Sequence, residues 1–373
     1  MWLDQLSISG LRNIASQTLA FSPGLNVIIG DNGSGKTSLL EAIYLLSCAK
    51  SFRTPQLNRV KNHTGDGFRL FARIFNPQAD ELIPVGVEYK AGRMLIKVAG
   101  QVLRRSSDLA TRIPVVVIHQ ESLRLLTHNV SYRKKFLDWG VFHVEQDYIS
   151  HWRRYSRGLK QRNLALQQRN GSKGSESIWD KELILSAHQL DQARKRYISE
   201  FTPYFIDYLR QMLVADYTTT VEYYRGWAAD IDYGEVLQVG LSRDRQVGYT
   251  MAGPHRADLL VRMNKVQVQD IASRGQLKQI VLAMYMAQVA VFNQRMGKGC
   301  LILLDDITAE LDDRHIAMTL SVFERMGCQV ITTSTELGRL QGHCKKGGKV
   351  FHVERGLFEE VIQYAAIKTM DVI

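Results

Sequence analysis

Gly30-Asp31-Asn32-Gly33-Ser34-Gly35-Lys36-Thr37 is a complete phosphate-binding loop, and its flanks supply the context such a loop needs. Before it, Leu25-Asn26-Val27-Ile28-Ile29 is a short apolar run that reads as a buried parallel strand. After it, from Ser38 to Leu46, apolar residues recur at helical spacing. The glycines let the backbone wrap an anion, which the loop N–H groups and the positive end of the following helix then hold. Lys36 is placed to reach the β- and γ-phosphates and the Thr37 hydroxyl to bind Mg²⁺, with Ser38 opening the helix beside them. The competing reading, a glycine-rich βα turn without nucleotide, does not account for both flanks. A nucleoside triphosphate with Mg²⁺ is the expected ligand.

The chain has 373 residues, enough for two lobes, and 45% hydrophobic residues, enough for a sizeable core. A net charge of +11 favours a polyanionic partner over an acidic substrate. Cys48, Cys300, Cys328 and Cys344 show no paired spacing and suit buried thiols better than disulfides or a zinc site. The start, Met-Trp-Leu-Asp-Gln-Leu-Ser, has no basic segment followed by an apolar core, and no run approaches a membrane span. A soluble, cytoplasmic protein without a membrane partner is expected.

Strand patterns dominate the first part: Phe68 to Phe75, Val85 to Tyr89, Met94 to Val98, Gln101 to Leu103, then Pro114 to Ile118. From about Ser131 to Leu213 the pattern is helical, broken by a polar glycine-serine segment at Asn170 to Ser177. Its arms are too short for a long coiled-coil rod. Strand-like stretches resume near Tyr217 to Tyr223, and α/β patterning returns in the last third. The expected division is 1–118 and 216–373 as two parts of one ATPase lobe, with 119–215 inserted as a helical lobe. Residues 151–200 hold eleven Lys/Arg against five acids, a net +6 on one helical element. Such a run is either a solvated helix face or a DNA track, with Arg153, Arg154 and Arg157 as the candidate contacts.

Cys300-Leu301-Ile302-Leu303-Leu304-Asp305-Asp306 is an apolar strand ending in two acids, the form of a Walker B strand. Asp305 would hold the Mg²⁺ hydration shell beside Thr37, and Asp306 would orient or deprotonate the attacking water. Alternatively, the two acids cap the next turn. Ser273-Arg274-Gly275-Gln276-Leu277-Lys278 precedes a long apolar-faced segment, with Ser273 as a natural N-cap and Gly275 permitting close backbone approach.

Phosphate loop, large insertion, signature-like helix start and Walker B strand come in an order that resembles the ATP-binding-cassette (ABC) superfamily. That resemblance implies an α/β fold: an ABC-type P-loop ATPase head with a mostly helical inserted lobe. It implies that Ser273, Gly275 and Gln276 of one subunit complete the γ-phosphate site of another. Ala309-Glu310-Leu311-Asp312 resembles the D-loop, which crosses the same interface. The strand after it ends Ile331-Thr332-Thr333-Ser334, with no switch histidine evident.

The opening Leu6-Ser7-Ile8-Ser9-Gly10-Leu11-Arg12-Asn13-Ile14 resembles SMC-like and RecF-type ATPases, as do Ser51-Phe52-Arg53-Thr54 and Gly253-Pro254-His255-Arg256-Ala257-Asp258. Gln120, His128 and Val130 stand where that family has proline, glycine and proline. The RecF resemblance covers the whole chain. It implies an ATP-driven homodimer that hydrolyses slowly and binds gapped or stalled DNA. It further implies action with RecR and RecO in loading RecA, and a place for Gln120 in the loop that links Mg²⁺ to the helical lobe. Two other classes compete: a transporter nucleotide-binding subunit, which the basic insertion disfavours, and a small-molecule phosphotransferase, which leaves the signature unexplained.

Overall fold

The computed structural model describes residues 1–361 except 64, 168–174, 214–216 and 345–346. Two compact units emerge, Met1–Ser122 with Phe292–Ile373, and Leu123–Val291.

In the first unit, a six-stranded sheet has the order Leu357–Glu360, Lys349–Glu354, Leu25–Ile29, Gln329–Ser334, Leu301–Leu304, Val115–Ile118. Its pairings are parallel apart from the terminal hairpin. Every residue of Leu301–Leu304 is buried, which is why that stretch is apolar throughout, and Gln329–Ser334 is buried as well although four of its six residues are polar. The second sheet is antiparallel, in the order Ile14–Ala20, Trp2–Leu11, Gly67–Asn76, Glu81–Lys90, Arg93–Val98, Gln101–Val102. Along Gly67–Asn76 burial alternates, so Phe68, Leu70, Ala72 and Ile74 face the core. The helix Lys36–Cys48 packs against strands of both sheets and is buried nearly all round. Register alone then puts the phosphate loop and Asp305 at one sheet edge. Leu25–Ile29 and Leu301–Leu304 flank Gln329–Ser334, and all three run in the same direction.

One buried charge anchors this helix. Glu41 is fully buried and accepts a bidentate pair from Arg12, Nε to Oε2 and Nη2 to Oε1, both at 2.8 Å. Ser51 Oγ donates to the same carboxylate at 2.5 Å and also receives the N–H groups of Arg53 and Thr54. The Ser51-Phe52-Arg53-Thr54 motif is therefore organised around Glu41, and Arg12 serves that anchor rather than merely ending a strand.

The second unit is built on the helices Val130–Val144, Tyr148–Gln167 and Asp180–Met212, the last two packed on each other. It extends past the boundary expected at 215, to Val291. The reason is a three-stranded sheet in which Asp258–Met263 pairs with Thr219–Tyr224 and Val266–Gln267. Most of the glycine-serine break expected at 170–177 lies outside the described residues, and Ser175–Trp179 forms a 3₁₀ turn.

Gly253 to Asp258 is the junction of this unit. A Cβ on Gly253, at φ +135°, would lie 2.4 Å from the hydroxyls of Tyr155 and Tyr233, so only glycine fits. Asp258 accepts from Arg133 Nε at 2.7 Å and Nη2 at 3.0 Å. His255 Nε2 lies 3.0 Å from the Thr250 carbonyl and must donate to it, leaving Nδ1 to accept from Tyr155 Oη at 2.6 Å. That neutral tautomer has no room for a second proton, and burial pushes the imidazole pKa from 6.5 down to about 4. Unfolded, the same histidine takes its proton near 6.5, so stability falls as pH drops from 6.5 towards 4. His255→Gln, which can both donate and accept, should flatten the pH dependence of the denaturation midpoint across that window. An unchanged slope would remove His255 as its source.

Candidate nucleotide site and basic helix face

Lys36 and Thr37 leave the loop on the first turn of their helix, with Gly35 as N-cap at φ +127°. A Cβ on Gly30 would sit 2.3 Å from the Val353 carbonyl, so the loop enters through a position closed to any side chain. Asn13 Nδ2 donates to Ser34 O at 2.9 Å, and the Gly356 N–H to the same oxygen at 2.7 Å. The loop is thus pinned from outside by two groups that its own motif does not contain. Lys36 is 7% exposed, and its Nζ donates to Gly30 O at 2.5 Å and Asp31 O at 2.9 Å. Burial lowers its pKa, against the pull of Asp306, Asp305 and Asp31.

Thr37 Oγ1 is 3.0 Å from both carboxylate oxygens of Asp305. Thr333 Oγ1 donates to Asp305 Oδ1 at 2.8 Å and accepts the Asp306 N–H at 2.8 Å. Asp306 occupies the left-handed region at φ +54° and makes no side-chain cap, which disposes of the capping alternative for the strand-end acids. Its Oδ1 and Ser34 Oγ are both buried without a hydrogen-bond partner among the described residues. Burial and the neighbouring Asp305 raise the Asp306 pKa, opposed by Lys36. A cradle closed by glycines, a lysine, a hydroxyl facing a carboxylate and an unpaired carboxylate together fit a Mg²⁺-bound triphosphate. Asp31, Asn32, Gly33 and Ser38 belong to the same loop and first turn.

Gln120 starts the turn that follows Val115–Ile118 and is exposed. That strand pairs with Leu301–Leu304, and Asp305 N donates to Ile118 O at 2.9 Å, so Gln120 reaches the edge that carries Asp305. Ser273 and Gln276 form a reciprocal capping box: Gln276 N donates to Ser273 Oγ at 3.2 Å, and Ser273 N to Gln276 Oε1 at 2.9 Å. Gly275 is exposed, and its position has room for a side chain, the nearest atom being Ser273 Oγ at 3.9 Å. Nothing among the described residues requires glycine there.

The basic segment is narrower than its composition suggests. Arg162 is fully buried, bonded to Asp180 at 3.0 Å and to Asp244 at 2.7 Å. Arg194 is fully buried as well, on Asp138 at 2.7 Å and Tyr148 at 3.0 Å. Arg196 pairs with Glu145 and Lys195 with Asp191. Arg169 and Lys173 lie outside the described residues. Of the three candidate contacts, Arg154 and Arg157 are exposed one helical turn apart, with Lys160 a turn further on; Arg153 is half-buried. Among the described residues no helix is long and apolar enough to cross a membrane.

Residues 2–358 match the family described as the RecF/RecN/SMC N-terminal domain. The chain is 38% identical over 361 residues to the DNA replication and repair protein RecF of Pseudomonas aeruginosa strain LESB58, spanning 95% of this chain and 97% of that one. The chain belongs to the RecF family of SMC-like ABC ATPases. To the RecF protein of Vibrio vulnificus strain CMCP6 this RecF-family chain is 36% identical over 361 residues, covering 96% of one and all of the other. Its fold matches a structure of the recombination mediator RecF-ATPrS of the RecFOR pathway with a TM-score of 0.86 at 23% identity, covering 96% and 98% of the two chains. An SMC head bound to the C-winged helix domain of ScpA matches with a TM-score of 0.60 at 13% identity over 99% of this chain.

Arg12, Asn13, Glu41 and Thr333 were not legible as site-supporting residues, because each acts through a contact far along the chain. The capping box was legible, since its two members are three residues apart.

Proposed function

We propose that this RecF-family chain is an ATP-dependent DNA-binding protein of recombinational repair. On this reading it dimerises around two Mg²⁺-ATP molecules, hydrolyses them slowly, and acts in the cytoplasm with RecR and RecO to help load RecA at gapped or stalled DNA. The carrying observation is Thr37 held against Asp305 while the raised-pKa carboxyl of Asp306 stands unpaired beside them. Bound Mg²⁺ would neutralise charge on the phosphates. Thr37 and Asp305, with Gln120, would hold it; Lys36 and the loop N–H groups would hold the triphosphate. Asp306 would take the proton of the attacking water. Ser273, Gly275 and Gln276 would meet the γ-phosphate of the other subunit. The glycine at 275, which the chain's own packing does not need, supports an approach from outside. A phosphotransferase acting as a monomer would leave that feature without a reason.

Ser273→Arg should spare ATP binding by the monomer and block ATP-driven dimerisation. Mixed with Lys36→Ala, it should regain activity, because one composite site then pairs an intact loop with an intact signature. Sedimentation and turnover of the mixture are the measurements. Robust turnover by Ser273→Arg as an isolated monomer would favour the phosphotransferase reading instead.

DNA affinity should fall steeply with salt and depend little on sequence, with a log–log slope of about −0.9 per neutralised phosphate. Replacing Arg153, Arg154 and Arg157 together by Gln should flatten that slope by about two, mostly through the two exposed residues. An unchanged slope would put the DNA track elsewhere on the protein.

A further inference from the structure

The end of the strand Gln329–Ser334 and the turn after it, from Thr333 to Arg339, hold both the site acids and the exposed segment that follows them. Thr333, as described, bonds to Asp305 and to the Asp306 N–H. Next to it, Ser334 Oγ donates to Glu336 O at 2.6 Å, so it receives the Thr308 hydroxyl at 2.8 Å. Five residues on, the Arg339 guanidinium donates to three groups at once: Nε to Asp313 Oδ1 at 2.6 Å, Nη2 to Leu311 O at 2.8 Å, and Nη1 to Thr308 O. The one-turn helix Ile307–Glu310 cannot satisfy its last carbonyls internally, and Arg339 supplies donors at that end and at the start of Asp313–Arg325. Ala309, Asp312, Asp313 and Arg314 are exposed, so the clamped segment is a surface whose shape is fixed from below by one side chain.

We propose that Arg339 is a positioning residue: it locks Thr308–Asp313 to the strand end that carries Thr333, so that the state of the Asp305–Asp306 carboxylates and the shape of the neighbouring surface move together. In this chain, which has no switch histidine evident, Thr333–Arg339 does the coupling. The inference rests on the proposed ATP-driven dimer, with Ala309-Glu310-Leu311-Asp312 at its interface as the D-loop resemblance implies. The three acceptors are met by three different nitrogens of the planar fork, a geometry that the single nitrogen of an ammonium does not reproduce. The bland role, a helix-end cap, requires only stability.

Arg339→Ala and Arg339→Lys in the full chain distinguish the two. For both variants we expect the affinity of the monomer for a fluorescent ATP analogue to stay within about twofold of the parent. ATP-dependent self-association and kcat should fall about tenfold or more, the order set by losing charge-assisted hydrogen bonds at one point. KM should not move. Lysine should not rescue, although it keeps the charge. Should Arg339→Ala fold poorly by circular dichroism, Arg339→Lys carries the test alone. Self-association and kcat within twofold of the parent in a folded variant would overturn the inference, as would full rescue by lysine. A parent chain that binds ATP but does not associate would instead defeat the proposed function.

Discussion

Lys36→Ala should lower ATP affinity about 100-fold or more while leaving the thermal melt of the chain nearly unchanged. The ammonium is buried at the mouth of the loop, where burial makes a lone positive charge costly and three carboxylates make it worthwhile. Two loop carbonyls, Gly30 O and Asp31 O, accept hydrogen bonds from it and hold it in position. Alanine removes the donor to both, and the desolvation cost of the buried ammonium goes with it, so the net change in stability is small. Against a phosphate the loss is larger, because truncating one side of a desolvated charge pair costs about 2–5 kcal/mol. The loop itself should persist, since Asn13 and the Gly356 N–H hold Ser34 O independently of the lysine. Titration with a fluorescent ATP analogue, alongside a melt, checks both halves. An affinity within threefold of the parent would take Lys36 out of the site.

What could be read from the sequence was whatever leaves a local signature. The loop between Leu25–Ile29 and Lys36–Cys48, the strand before Asp305, and the S-x-x-Q box at Ser273 all depend on residues within one or two turns of each other. Contacts between distant positions leave no periodicity. Arg12 and Glu41 are 29 residues apart, Thr333 and Asp305 28 apart, and Arg133 and Asp258 125 apart. Charge counting has a related limit in physical terms, since it does not register burial. A string of letters does not distinguish Arg157, exposed, from Arg162, which is buried against Asp180 and Asp244, yet both add one to the tally. The strand Thr219–Tyr224 reads like a return to the head. Its partner Asp258–Met263 instead ties it to Arg133 and the helical unit.

Asp306→Asn should retain ATP and lose turnover, with kcat down about 100- to 10,000-fold, the range a positioned general base contributes. Asparagine suits the site sterically. It has the same shape, and it tolerates the left-handed backbone at φ +54° better than most residues. Thr333 Oγ1 would still accept the N–H of residue 306, and Asp305 would still face Thr37, so the metal-binding pair stays in place. What disappears is a carboxyl whose Oδ1 has no partner among the described residues and whose pKa is raised by burial and by Asp305. Removing a negative charge next to the phosphates should leave nucleotide affinity equal or tighter, so binding and hydrolysis separate. A second signature follows from the raised pKa. As a base, Asp306 works only when ionised, so parental kcat should fall as pH drops through a value above that of an ordinary carboxylate. The residual turnover of the asparagine variant should lack that limb. Single-turnover hydrolysis across pH, with bound nucleotide measured in parallel, reads both effects. Hydrolysis within threefold of the parent, or an acid limb that survives the substitution, would move the base away from Asp306.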